Sequence, residues 1–471
     1  MTPMTRIARL SAAFLGSNLA RAAIGFGLSF VLARGLGAER FGRWILCTAW
    51  ASTLTVVVDL GFGVLLTRDG ARPDAEPGRL LSGALVLRLA LAVPLAALLY
   101  VGAGHLSSDA ETIAGLRIAA LLGTAGAAYG CFGALFRSQP RWLPAVLGVE
   151  TVWIALQLAG AWWLVHTAAG GAGGSGGLGW SGGAGGSGWA GESGGSGWSG
   201  GLVGPGGSGG ADGRTIVSLL TLALVVQLAQ IATAVVCWRT VFGDRERVRL
   251  PSPGALAALV RRALPFAASG IVANVQTRVG PLMLGFLSTQ AELGLFAAAS
   301  RFGSVVRLAP QALFAGALPV LSHEHQRDRA SAGRVFHTFD RGLLVLSAAI
   351  ALGGAVFAAP VLRIVYGASF ARAAPALVWV SVGLIPLLSN SGRKVLLYAS
   401  GAEAFVVLWS AIALIVQVCL GAVLIPTLGS VGAAISVVIG EAVIWWPLRR
   451  ATPGSTTITA ECAEPAEILC T

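Results

Sequence analysis

Four arginines sit where a bilayer would place hydrocarbon. Arg21, Arg278, Arg301 and Arg307 each fall well inside an apolar stretch long enough to cross a membrane. A charge at the centre of a membrane helix costs about 2.5–3.5 kcal/mol. Four cost on the order of 10–14 kcal/mol, as much as the net stability of a typical domain. They are tolerable only where they face water, a partner charge or an anionic ligand. A guanidinium fork fits the bidentate acceptors of a phosphate or diphosphate. A cationic interior therefore points to something negative.

The residues around them make the chemistry more specific. Helical spacing puts Asn18, Arg21, Gly25 and Ser29 on one face, and Asn274, Arg278, Pro281 and Gly285 on another. Ser300, Ser304, Arg307 and Gln311 form a third polar face, with Arg301 beside it. These faces suit a water-filled cleft, with Arg21, Asn18, Asn274, Arg278, Arg301 and Arg307 as candidate substrate ligands. At 1.5 Å per residue, Arg21 and Arg307 lie about 15–18 Å into their spans, near the midplane. The competing reading makes each arginine an internal strut bonded to carbonyls or acids.

Asp59, Arg88 and Glu150 form a separate group, all in the cytoplasmic third of their spans. A salt-bridged structural cluster is the preferred reading. A gate, or a proton or cation coupling site, is the alternative. Arg117, Arg341 and Glu441 lie close enough to span ends to snorkel. His323 and His325 sit in a charged loop without further ligands, so no metal is expected. No phosphate-binding glycine loop and no nucleophile elbow is present. No cofactor and no catalytic residue is expected.

The elements that must position these groups follow from composition. The chain has 471 residues, 55% hydrophobic and only 11% charged, with mean hydropathy +0.76. Soluble domains carry about 25% charged residues, so this is an all-α integral membrane chain. Twelve spans are predicted, at 11–33, 44–66, 80–104, 113–135, 142–166, 215–238, 263–287, 295–320, 342–362, 375–399, 404–425 and 429–448. The net charge of +12 lies between apolar segments, which argues against nucleic acid. Cys47, Cys131, Cys237 and Cys419 fall inside spans and read as small buried residues.

Arginine placement sets the orientation. With the N-terminus inside, the cytoplasmic segments hold 20 basic residues against six on the other side, which follows the positive-inside rule with both termini cytoplasmic. The predicted divisions are 1–241 and 255–450, each a six-helix lobe, a cytoplasmic linker at 242–254 and a polar tail at 451–471. Leu32…Gly42-x-Trp44 is echoed by Leu284…Gly294-x-Phe296, a sign of parallel repeats with a site between them. Residues 170–213 hold 24 of the 65 glycines, with Trp180, Trp189 and Trp198 at nine-residue intervals. Such a composition reads as a disordered extracytoplasmic insert.

Five stretches carry a family resemblance. They are LARGLGAERFG (32–42), VDLGFGVLLTR (58–68), AELGLFAAASRFGSVVRLAPQALFAGALPVLS (291–322), YGASFARAAPALVWVSVG (366–383) and LIPTLGSVGAAISVVIGE (424–441). Together, in this order, they resemble the polysaccharide-unit flippases of the multidrug/oligosaccharidyl-lipid/polysaccharide exporter superfamily. The resemblance implies a V-shaped two-lobed bundle that moves a lipid-diphosphate-linked sugar to the outer leaflet by alternating access, in a bacterial inner membrane. Implied partners are membrane lipids and a polyprenyl-diphosphate-linked glycan, with polysaccharide assembly enzymes a further candidate. A drug/cation antiporter of the same superfamily is the nearest alternative, though cationic substrates would fit acids better than arginines. A membrane glycosyltransferase or polymerase is the more distant one. The glycine insert and the count of twelve spans, where some relatives carry fourteen, depart from the family pattern.

Overall fold

The computed structural model describes residues 3–72, 75–139, 142–170, 215–242, 251–306, 329–399 and 402–451. Within these, the side chains of 3–15, 168–170 and 329–339 and of a few other helical residues are not described. The glycine-rich insert beyond 170, most of the 242–254 linker, the tail beyond 451, and Arg307, Pro310, Gln311, His323 and His325 lie outside the described residues.

Twelve α-helices account for nearly all of the described chain. They are α1 (Pro3–Asp59), α2 (Phe62–Asp69), α3 (Pro77–Leu106), α4 (Ala110–Arg137), α5 (Leu143–Gly170) and α6 (Thr215–Phe242), then α7 (Pro253–Leu287), α8 (Gln290–Val306), α9 (Arg329–Tyr366), α10 (Ala374–Ala399), α11 (Glu403–Leu428) and α12 (Ser430–Ala451). A 3-10 turn at Ala368–Ala373 joins α9 to α10. Among the described residues, nine helices are long and apolar enough to span a membrane. The first of these, α1, holds two predicted spans. It turns at Gly37, whose φ of 74° and ψ of 174° lie outside the helical region and would cost an L-residue about 1–2 kcal/mol. The second span continues through α2 after a break at Leu60 (φ 42°) and Gly61 (φ 75°).

Two predicted starts shift. The helix of the seventh span begins at Pro253, ten residues before 263, because the Ser252 hydroxyl caps it by accepting from the Ala255 amide at 3.3 Å. That of the ninth begins at Arg329 instead of 342. At α9 hydropathy misses the polar turns that extend the helix, and at α7 it stops at the Arg261–Arg262 pair although the helix continues before it.

Large apolar side chains face outward, as lipid contact requires: Val101 is 76% exposed, Val345 71% and Val236 71%. Tryptophans mark the ends. Trp162 and Trp163 stand exposed near the end of α5. At the end of α12, Arg449 and Arg450 lie over the rings of Trp445 and Trp446, 5.1 and 4.5 Å from the centroids.

The first-half helices pack as α1 with α4 and α5, α3 with α4, and α6 with α4 and α5, while α7 to α12 pack among themselves. The halves meet along α1 and α8, and along α7 against α1, α2 and α3. The sequence echo becomes physical at the first seam. A Cβ on Gly42 would fall on the Gln290 carbonyl oxygen, 3.0 Å from the Gly294 amide. One on Gly294 would fall on the Ala38 carbonyl oxygen, 3.2 Å from the Gly42 amide. Each glycine is thus blocked by the residue four positions before the other, so the repeats cross reciprocally. In a membrane such close approach supplies packing that hydrophobicity cannot. Leu32, Trp44, Leu284 and Phe296 surround it in one buried cluster.

Asp109 anchors the far end of this seam. It caps α4 through the Thr112 amide and accepts from Arg43 at 3.2 Å. Burial pushes its carboxyl up, but the Thr112 bonds and the Arg43 charge outweigh burial and hold it below the ordinary carboxylate range.

A glycine-to-alanine change inside a helix ordinarily gains about 1 kcal/mol, but here overpacking against backbone should cost about 1–3 kcal/mol. Gly42→Ala and Gly294→Ala should each lower the thermal unfolding midpoint of the purified protein. Gly104→Ala, whose Cβ would meet open space, should not. A Gly42→Ala protein as stable as the parent would show that the crossing is loose.

Candidate functional site

Among the described residues, three groups of interior charges hold the candidate site residues. In the first, Arg21 donates one Nη to Glu150 Oε2 and the other to Asn18 Oδ1 at 2.7 Å. Glu150, on α5 and 5% exposed, also accepts from the Tyr129 hydroxyl at 3.1 Å and from Arg137 at 3.4 Å. A carboxylate with three donors is well satisfied in a dry environment.

In the second group, fully buried Arg88 on α3 donates to Asp59 and to the Ala127 carbonyl at 3.3 Å. Gly130 admits it, because a Cβ there would stand 2.6 Å from an Nη. Asp59 ends α1 and accepts from the Gly63 amide at 3.2 Å, which satisfies a free amide in the first turn of α2 beyond the break. The expected trio of Asp59, Arg88 and Glu150 is therefore divided. Asp59 and Arg88 pair across α1 and α3, whereas Glu150 serves Arg21, which had been expected at the cleft.

The third group is different. Arg278, half-buried on α7, donates to Ser52 Oγ at 2.6 Å across the seam between the halves, and its Nε has no partner. Arg301 on α8 lies within electrostatic range of Arg278. Neither has a carboxylate partner among the described residues. Beside Arg301 stands Tyr366, whose buried hydroxyl makes no hydrogen bond. Two like charges held together in low dielectric favour an anion that can accept from both. Asn274, one turn before Arg278, is exposed and bonds the Gly270 carbonyl at 2.8 Å. Ser300 and Ser304 return their hydroxyls to their own helix.

Several polar contacts escaped sequence reasoning. Glu441, expected to snorkel, is buried and accepts from Asn390 at 3.0 Å. Arg393, near the end of the span predicted at 375–399, is buried in α10 and donates to Asp340 at 2.6 Å. Asp69, 2% exposed, gathers Arg68, Arg72 and, from α7, Arg262. Arg68 and Arg72 are local to Asp69, but Asn390, Asp340 and Arg262 lie 51, 53 and 193 residues from their partners, where no local spacing signals them.

These features define a polytopic membrane protein of two packed helical halves with charged groups at their seam. It shares its fold with solved transporters. The structure of lipid II flippase MurJ in an inward closed conformation superimposes with TM-score 0.64 at 12% identity, over 94% of this chain and 86% of that one. An inward-facing multidrug resistance MATE transporter of the MOP superfamily gives 0.60 at 13%, over 93% and 99%. A MOP superfamily transporter from Pyrococcus furiosus, with a binding pocket of reverse polarity, gives 0.55 at 12%, over 95% and 94%. No curated protein sequence matches the chain. Two family models, both described as polysaccharide biosynthesis protein, match residues 8–172 and 213–375, and the chain belongs to that family.

The Arg21–Glu150 bond makes a coupling prediction. Arg21→Gln and Glu150→Gln should each destabilise the protein. The double variant should be more stable than their sum predicts by about 1–3 kcal/mol, as expected for contacting residues. Additive unfolding energies would show that the pair does not hold α1 to α5.

Proposed function

We propose that this chain moves a lipid-diphosphate-linked sugar unit from the inner to the outer leaflet of a bacterial plasma membrane by alternating access, for cell-surface polysaccharide biosynthesis. The observation that carries the reading is the Arg278–Arg301 pair, two interior cations without a carboxylate partner among the described residues. A diphosphate would answer both charges with bidentate bonds. Membership of a polysaccharide biosynthesis family supplies the sugar, and the transporter fold supplies the two-sided access. Asn274 lies one turn along the same face, where an amide can bond sugar hydroxyls. Arg307 completes the proposed set from outside the described residues. Arg21 and Asn18 join it in a state in which Glu150 is released.

The two halves divide at 242–254, with both termini cytoplasmic, as the arginine bias supports. No catalytic step is required. The partners are bilayer lipids and the polyprenyl-diphosphate glycan, with sugar-assembly enzymes delivering it. A cationic drug as cargo is disfavoured by the same two arginines, which would repel it.

Proteoliposomes loaded with a fluorescent polyprenyl-diphosphate sugar test this. Arg278→Ala and Arg301→Ala should each lower flipping at least tenfold at parental protein levels. Arg278→Lys should recover only part, because a point charge loses the bidentate fork. Ser52→Ala removes the strut and keeps the charge, so it should flip near the parental rate. Normal flipping by both alanine variants would reduce the arginines to struts.

A further inference from the structure

We infer that the apolar groove between α1, α8, α9 and α10 holds the proximal isoprenoid segment of the lipid-linked substrate while its diphosphate lies at Arg301 and Arg278. The groove has a volume of about 690 Å³. It runs along α9 from Ile350 to Val361, about 16 Å at the helical rise. Among its described lining residues only Ser381 carries a polar side chain. The inference rests on the lipid-linked cargo proposed above.

The argument for this occupant is continuity between an apolar trough and a cationic end. Phe302 lines the groove and is the residue after Arg301. The ring of Phe302 meets Phe26 edge-on at 5.5 Å and Tyr366 at 6.0 Å. Tyr366 in turn stands beside Arg301. Hydrocarbon, aromatic rings and guanidinium therefore follow one another, in the order of an amphiphile with a tail, a junction and an anionic head. The groove opens sideways to the bilayer, because Leu19 and Phe357 on its lips are 57% and 60% exposed. A polyprenyl chain can thus leave the protein laterally while its head stays inside, and no hydrocarbon needs to enter the polar seam. A bulk phospholipid chain satisfies the trough but has no diphosphate for the far end.

Gly353 offers a clean probe. A Cβ there meets nothing within 4 Å, so a larger side chain can project into the groove without striking the fold. At Gly354 the Ser381 hydroxyl already occupies that space.

The test uses the full chain in vesicles of phosphatidylethanolamine and phosphatidylglycerol. The probe is a polyprenyl-diphosphate sugar with a diazirine near the diphosphate, and a matched diazirine phosphatidylglycerol is the comparison. Saturable binding of the sugar lipid is measured separately on the same samples. The groove predicts cross-links on α1 near Ala23 and on α9 near Phe357, competed at least tenfold by unlabelled sugar lipid and not by phospholipid. Gly353→Phe should lower this labelling at least tenfold. Val356→Phe, on the exposed face of the same helix, should leave it unchanged. Saturable binding with cross-links elsewhere, or equal labelling by the phospholipid probe, overturns the groove and spares the function. Absence of saturable binding overturns both.

Discussion

Everything in this molecule bends to the cost of holding guanidinium groups where water is scarce. The fold meets that cost in two ways. Arg88 and Arg21 are neutralised by Asp59 and Glu150, each with further bonds to hydroxyls or carbonyls. Gly130 on α4 clears the space into which Arg88 reaches. The first half is in this sense electrically closed. Arg278 and Arg301 in the second half are left with a serine and a tyrosine for company. For the anion carrier proposed above, this contrast would make the neutralised pairs scaffold and Arg278 with Arg301 an incomplete site.

The seam between the halves explains how such a site can be reached without unfolding either bundle. Its closest contact is backbone on backbone at Gly42 and Gly294, flanked by Leu46 set against Gly285 and by the Trp50–Phe286 ring pair. Among the described residues its polar contacts include Arg278 on Ser52, Arg262 on Asp69 and Arg34 on the Ile364 and Val365 carbonyls. A reciprocal glycine crossing can act as a pivot, because helices that meet through small residues tilt with little repacking.

Much of the fold was legible in the sequence. Twelve hydropathy spans find helices at their expected places wherever the chain is described, and the Gly42 and Gly294 echo marks the residues that cross. Helix ends were less so, since α9 extends into polar turns that hydropathy ignores and α7 continues before the Arg261–Arg262 pair. The site was legible only in part. Residue type announced the interior arginines, because hydrocarbon makes them costly anywhere. Pairing could not be announced. Glu150 meets Arg21 from 129 residues away, and Arg262 meets Asp69 from 193. Spacing along a helix gives a face, but only packing decides which faces meet.

The central claim is that the seam recognises negative charge at the head of a lipid. It is tested most directly by equilibrium binding of three lipids that share one sugar and one polyprenyl chain and differ in their linkage: diphosphate, monophosphate and an uncharged ether. The account predicts that affinity falls at least tenfold from diphosphate to monophosphate and again to the ether. Each tenfold corresponds to about 1.4 kcal/mol. Raised salt should weaken the diphosphate lipid most. Equal affinity for all three, or preference for a cationic amphiphile, would contradict it.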